Sequence, residues 1–142
     1  MAGIRVNASI KKIEVNDNGD YITLNFSDQS FPQRFFAMMD LLQAKADEAK
    51  KRAEEIESAY PADSLERIRA GLSLEKEVYG VMVKEIDNLF GPDTCRKVFG
   101  DITPGIEMFE DFFNQLTPYF REYSQERAAK LGKYSPARTG NV

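Results

Sequence analysis

The sequence contains no histidine and no tryptophan, and Cys95 is its only cysteine. Without histidine the most common general base is missing, and with it the Ser–His and Cys–His nucleophile pairs. One thiol cannot close an internal disulfide, and it cannot supply the clustered Cys and His ligands of a zinc site. A lone cysteine also suits a reducing compartment. No glycine-rich phosphate loop is present: Gly3, Gly19, Gly71 and Gly80 stand alone. No apolar run approaches the roughly 18 to 20 residues of a membrane span. The opening Met1-Ala2-Gly3-Ile4-Arg5 lacks an apolar signal core, so the expected location is the cytoplasm. These deficits point away from catalysis: no catalytic residue, metal ligand or cofactor is expected, and the chain reads as a binding protein.

Charge is also short of one sign in one place. No acid follows Glu126, so Arg127, Lys130, Lys133 and Arg138 give the end of the chain four positive charges. The overall charge of −4 then leaves eight net negative charges on the first 126 residues. Such a body repels a phosphate backbone, and four spread cations make a weak nucleic-acid arm, so neither nucleic acid nor membrane is expected as a partner.

What is present is periodic. Asn18-Gly19 is the preferred pair for a two-residue type I′ turn, because both positions need positive φ. That turn predicts a β-hairpin with Val15 facing Ile22 and Ile13 facing Leu24 on one apolar side. Upstream the apolar phase reverses at Ile4, Val6, Ala8 and Ile10, and a bulge near Lys11-Lys12 would restore a single face. Beyond Ser30-Phe31-Pro32, which suits a helix start, Phe35, Met39, Leu42, Ala46, Ala49, Ala53 and Ile56 form a heptad seam. Tyr60-Pro61-Ala62-Asp63 breaks it, and Asp63 or Ser64 can cap a second helix carrying Leu65, Ile68, Leu72, Tyr79, Met82, Ile86 and Leu89. Phe90-Gly91-Pro92 stops that helix. A short helix follows over Asp93 to Phe99, closed by Gly100.

Thr103-Pro104 opens a third long helix running to about Leu131. On it Ile106, Phe109, Phe112, Phe113, Leu116, Tyr119, Phe120 and Tyr123 lie within an arc of about 140° at 100° per residue. Pro118 inside this stretch is expected to kink or split it. The predicted fold is therefore α+β and mostly α: a β-hairpin over residues 1–28, a helical domain over 29–131 built on a long antiparallel helical hairpin and the aromatic helix, and a flexible basic tail over 132–142.

Two groups resemble chemical sites and are better explained by local structure. Asn16-Asp17-Asn18-Gly19-Asp20 resembles a calcium loop, but Asn25 stands where the twelfth-position Glu would be, and turn chemistry accounts for the residues. Glu107, Glu110 and Asp111 cluster near a helix N-terminus, where the dipole favours acids without a metal. The partner-binding candidates are Phe109, Phe112, Phe113, Leu116, Phe120 and Tyr123, an aromatic stripe wider than one small core requires. The same surplus of apolar surface predicts a homo-oligomer.

Several segments together resemble the small tail assembly chaperones of long-tailed phages and prophages of Gram-positive bacteria. They are Leu89-Phe90-Gly91 and Val98-Phe99-Gly100, the acidic aromatic helix Glu107-Met108-Phe109-Glu110-Asp111-Phe112-Phe113, and the basic Lys133-Tyr134-Ser135-Pro136-Ala137-Arg138. The resemblance covers roughly residues 85–138 by motif and the remainder by layout. It implies a non-enzymatic chaperone in the host bacterial cytoplasm that binds and solubilises the tape measure protein, with the tail tube protein as a further partner. It also implies a longer product made by a frameshift, for which Gly132-Lys133 is the matching dipeptide. The competing readings are a structural virion or head–tail joining subunit and an unrelated helical adaptor protein.

Overall fold

A computed structural model describes residues 3–6 and 8–139, with side chains as far as Gly132. Strands β1 (Ile10–Glu14) and β2 (Tyr21–Asn25) form an antiparallel hairpin, followed by helices α1 (Ser30–Ala59), α2 (Leu65–Phe90), α3 (Thr94–Phe99) and α4 (Ile106–Thr139). The chain divides into two compact units, one ending at Gly105 and the other beginning at Ile106. The hairpin, α1, α2 and α3 thus belong together. The boundary expected between hairpin and helices is not where the division falls.

The hairpin register differs from the expected one. Ile13 faces Ile22 and Lys11 faces Leu24, because the loop is four residues long, Asn16 to Gly19, closed by Val15 N–H donating to the Asp20 carbonyl at 3.0 Å. The Asn16 carboxamide oxygen accepts from the N–H groups of Asn18 (2.8 Å) and Asp20 (3.3 Å), which widens the turn, while Gly19 takes the positive φ of 85°. The slip is two residues. Side chains alternate with a period of two, so the predicted apolar side is kept, and Ile22 and Leu24 are buried. The bulge is absent: pairing runs unbroken from Ile10↔Asn25 to Glu14↔Tyr21. The phase reversal is therefore real, and Ile4, Val6 and Ile10 are exposed.

Helix α2 is the hub, packing against α1, α3 and β2. At its C-terminal end the phenyl ring of Phe31 meets Phe26 and Phe90 edge-on, with centroids 5.8 and 6.0 Å apart. This joins the end of β2, the start of α1 and the end of α2. Phe31, Phe35, Met38 and Leu42 of α1 are buried, as are Leu74, Met82 and Ile86 of α2. Met38, not the expected Met39, takes the buried seam position, and Ala46, Ala49, Ala53 and Ile56 continue it half-buried. Ion pairs Arg52–Glu77 and Arg67–Glu57 fix the two helices antiparallel. Ser64 caps α2 by accepting from Arg67 N–H at 3.2 Å, and Gly91, at φ 119°, ends it.

In the second unit α4 continues through Pro118, which does not split it. Proline has no N–H to offer the carbonyl four residues back, and next to it Thr117 Oγ1 donates to the Phe113 carbonyl at 2.9 Å. The helix also runs past Leu131 and Gly132 to Thr139, where a flexible tail was expected. The remainder of that tail, residues 140–142, lies outside the described residues.

Candidate partner-binding surface

The aromatic stripe on α4 is buried. Phe109 is 1% exposed, Leu116 2%, Phe120 6%, and Phe112 and Phe113 8% each. Tyr123 and Tyr119 are half-buried, and Ile106, at the start of the row, is exposed. The Phe112 and Phe113 rings touch, with centroids 5.6 Å apart. Of the six partner-binding candidates only Tyr123 keeps substantial surface. Adjacent positions such as Phe112 and Phe113 differ by about 100° around a helix, yet the structure buries both equally.

The other sequence candidates resolve into structural roles. Glu107, Glu110 and Asp111 are all exposed, and no group of three His, Cys, Asp or Glu side chains among the described residues could hold a metal ion. Asn16 is a tie between elements, its carboxamide Nδ2 donating to Asp20 Oδ2 at 2.8 Å and to the Lys97 carbonyl of α3 at 2.9 Å. Cys95 is buried, its thiol pushed up to about 12 by burial and then by the nearby Asp87 carboxylate. Asp87 Oδ1 accepts the Cys95 N–H at 3.0 Å and so closes the start of α3. A thiol held protonated in this way is a poor nucleophile.

An exposed apolar row lies elsewhere. Leu65, Ile68 and Leu72, which open the predicted α2 seam, are 71%, 53% and 58% exposed. They fall within about 60° of arc at 100° per residue. The α1-facing side of α2 is instead marked by Arg67, Leu74 and Glu77, since Arg67 and Glu77 pair with α1 and Leu74 is buried. Leu74 sits about 160° round the helix from Leu72. Ion pairs Arg52–Glu77 and Glu57–Arg67 hold this side of α2 against α1, and Ala70 beside it is half-buried. The expected seam of α2 is thus corrected: its first three members form a solvated row with the 3,4 spacing of a helix-pairing face. Tyr60, at the helical turn, is also 39% exposed. The signal that could have located this row was the placing of Arg67 and Glu77, which pair with Glu57 and Arg52 of α1, rather than apolar spacing alone.

Compared with known proteins, the sequence matches a family of unknown function (DUF6673) over residues 18–141. No curated protein matches it, and no solved structure does.

Proposed function

The chain belongs to DUF6673, a family of unknown function, and we propose that it is a non-enzymatic binding protein that holds a helical segment of a partner along the outward row of α2. In the assembly-chaperone reading the partner is the tape measure protein of a long phage tail. It is kept soluble in the bacterial cytoplasm until tail tube subunits polymerise around it. The observation that carries the proposal is the display of Leu65, Ile68 and Leu72 to solvent, each more than half exposed, on a helix whose opposite side is already satisfied. Three large aliphatic groups at 3,4 spacing are the complement of an amphipathic helix. Covering a Leu or Ile fully gains about 1.5–3 kcal/mol, so a half-exposed row of three offers roughly 3–5 kcal/mol before the cost of association. That is modest for one copy, as suits a holder that tube subunits must displace.

The test is co-expression with the tape measure protein, read as soluble client and as co-purification. The triple variant Leu65→Ser/Ile68→Ser/Leu72→Ser should fold, because exposed positions away from special features usually change stability by less than about 0.5 kcal/mol each. It should lose the client. Equal recovery with the variant would remove this surface from the proposal. Failure of the native chain to solubilise or retain the client would remove the client. A chaperone is also absent from purified particles, whereas a structural virion subunit is present in them.

A further inference from the structure

The outer edge of β2 is an open strand edge, and it borders a cavity. Val15 N–H donates to the Asp20 carbonyl and Phe26 N–H to the Ser9 carbonyl. These two bonds bracket the ladder. Hydrogen-bonded pairs alternate along an antiparallel ribbon, so with the observed register Ile13/Ile22 and Lys11/Leu24 are the bonded pairs. The N–H and C=O groups of Tyr21 and Thr23 consequently point away from β1, and they have no other hydrogen-bond partner among the described residues. Along this edge, from Gly19 to Thr23, runs a half-open cavity of about 420 Å³ whose far wall is Phe90, Gly91, Pro92, Thr94 and Lys97. Its size falls in the roughly 300–1,000 Å³ of ligand sites. Free backbone groups on one wall and an aromatic ring with a proline on the other are what an added strand requires.

The chain also carries a short apolar arm without a place. In Gly3–Val6 the side chains of Ile4 and Val6 are 95% and 88% exposed, and their i, i+2 spacing puts both on one side of an extended chain with Arg5 on the other. The arm cannot serve its own groove. β1 leaves the ribbon at the Ser9–Phe26 end, whereas the groove lies at the turn end and on the far side of β2. Five strand residues separate the level of Phe26 from that of Tyr21, about 16 Å at 3.3 Å per residue. The residues before Ser9 would spend nearly all their reach on reversing direction. A second copy has no such constraint.

We propose that the Gly3–Val6 arm of one copy adds as a third strand to the Tyr21–Thr23 edge of a second copy, with Ile4 and Val6 turned toward the Phe90–Pro92 wall. Arg5 then points to the outer face of the sheet, with Tyr21 and Thr23. Reciprocal exchange of two arms gives a closed dimer. This inference stands apart from the client proposed above, because neither the arm nor the groove includes the α2 row.

The experiment is multi-angle light scattering of the full chain as a function of concentration. Native protein should associate. The double variant Ile4→Asp/Val6→Asp lies outside the folded body and should weaken association at least about tenfold, equivalent to about 1.4 kcal/mol, with an unchanged melting curve at dilutions where both proteins are monomeric. Thr23→Pro removes an outward N–H and no ladder bond, and it should weaken association similarly. Mixing the two variants should recover a weak heterodimer, since one keeps its groove and the other its arm. A monomeric native chain overturns the proposal, as does association that survives the arm variant. Association lost only in Leu65→Ser/Ile68→Ser/Leu72→Ser would overturn it too, by moving the contact to α2. Should Thr23→Pro fail to fold, the arm variant alone decides.

Discussion

Replacing Asn16 by alanine tests whether one carboxamide holds the hairpin to the helices. The side chain makes four hydrogen bonds: Nδ2 to Asp20 Oδ2 at 2.8 Å and to the Lys97 carbonyl at 2.9 Å, and Oδ1 from the N–H groups of Asn18 at 2.8 Å and Asp20 at 3.3 Å. A neutral hydrogen bond contributes a net of about 0.5–1.5 kcal/mol, and one to a charged group about 1.5–3 kcal/mol. Asn16 is only partly buried, so water replaces part of what is removed. The 3.3 Å bond is also long, and Asn16→Ala should therefore destabilise the protein by about 2–3 kcal/mol. Urea unfolding followed by far-UV circular dichroism measures this as a lower midpoint with an unchanged slope. Asn16→Asp separates the two jobs of the side chain. It keeps the acceptors for the turn N–H groups but loses both donors, and it sets a second carboxylate against Asp20. It should be at least as destabilising as alanine at neutral pH. A change of less than about 0.5 kcal/mol in Asn16→Ala would refute the tie, since that is the range of an uninvolved surface position.

Four further outcomes follow from the same geometry. Phe112→Ala and Phe113→Ala should each cost about 3–5 kcal/mol, because both are 8% exposed; chemical denaturation showing one of them neutral would contradict the burial. Cys95 should resist alkylation by iodoacetamide at pH 8 while folded and react on addition of urea, its thiol being pushed up to about 12 by burial and Asp87. The sign for stability is that an unfolded thiol ionises near 8.5 and the folded one does not. Stability therefore falls as pH rises above that value, and a Cys95→Ala variant should lose this slope. The Asp28 carboxyl is held below its ordinary range by the Ser30 hydroxyl and N–H and by Arg34; stability is present above the unfolded pKa near 3.9 and lost as pH falls through the folded one, which an NMR titration of Asp28 against Asp28→Asn reads directly. Hydrogen exchange should be polarised along the helical hairpin. Amides over residues 46–73 should open well before those of residues 31–42 and 82–90, because the buried α1 side chains all lie before Gln43.

The boundaries of the elements were legible because each is set by local chemistry. Pro61 cannot continue α1, and Ser64 supplies the oxygen that the first α2 amides lack. Gly91 and Gly100 take positive φ where the chain leaves a helix. The hairpin turn was visible for the same reason, but its length was not. Asn18-Gly19 announces a tight turn, whereas the widening comes from Asn16, whose carboxamide also reaches the Lys97 carbonyl 81 residues away. No local pattern encodes that partner. A bulge is needed only where every apolar strand residue faces the core of its own chain. Ile4 and Val6 do not, and that failure exposed the arm.

The α2 row failed to show itself for a different reason. Spacing of 3 and 4 reports that residues share a side of a helix, not which side meets the neighbour. Leu65, Ile68 and Leu72 satisfy the pattern, and so do Arg67, Ala70, Leu74 and Val78 on the opposite side. Hydrophobicity ranks the first set higher, so apolar spacing alone predicts it as the seam. In the structure the second set meets α1: Leu74 is buried, and the arginine and glutamate at its margins, Arg67 and Glu77, reach across to Glu57 and Arg52. Turning the aliphatic row to α1 instead would break both ion pairs. Leu65, Ile68 and Leu72 are left facing solvent, and that row becomes the surface on which the proposed partner binds.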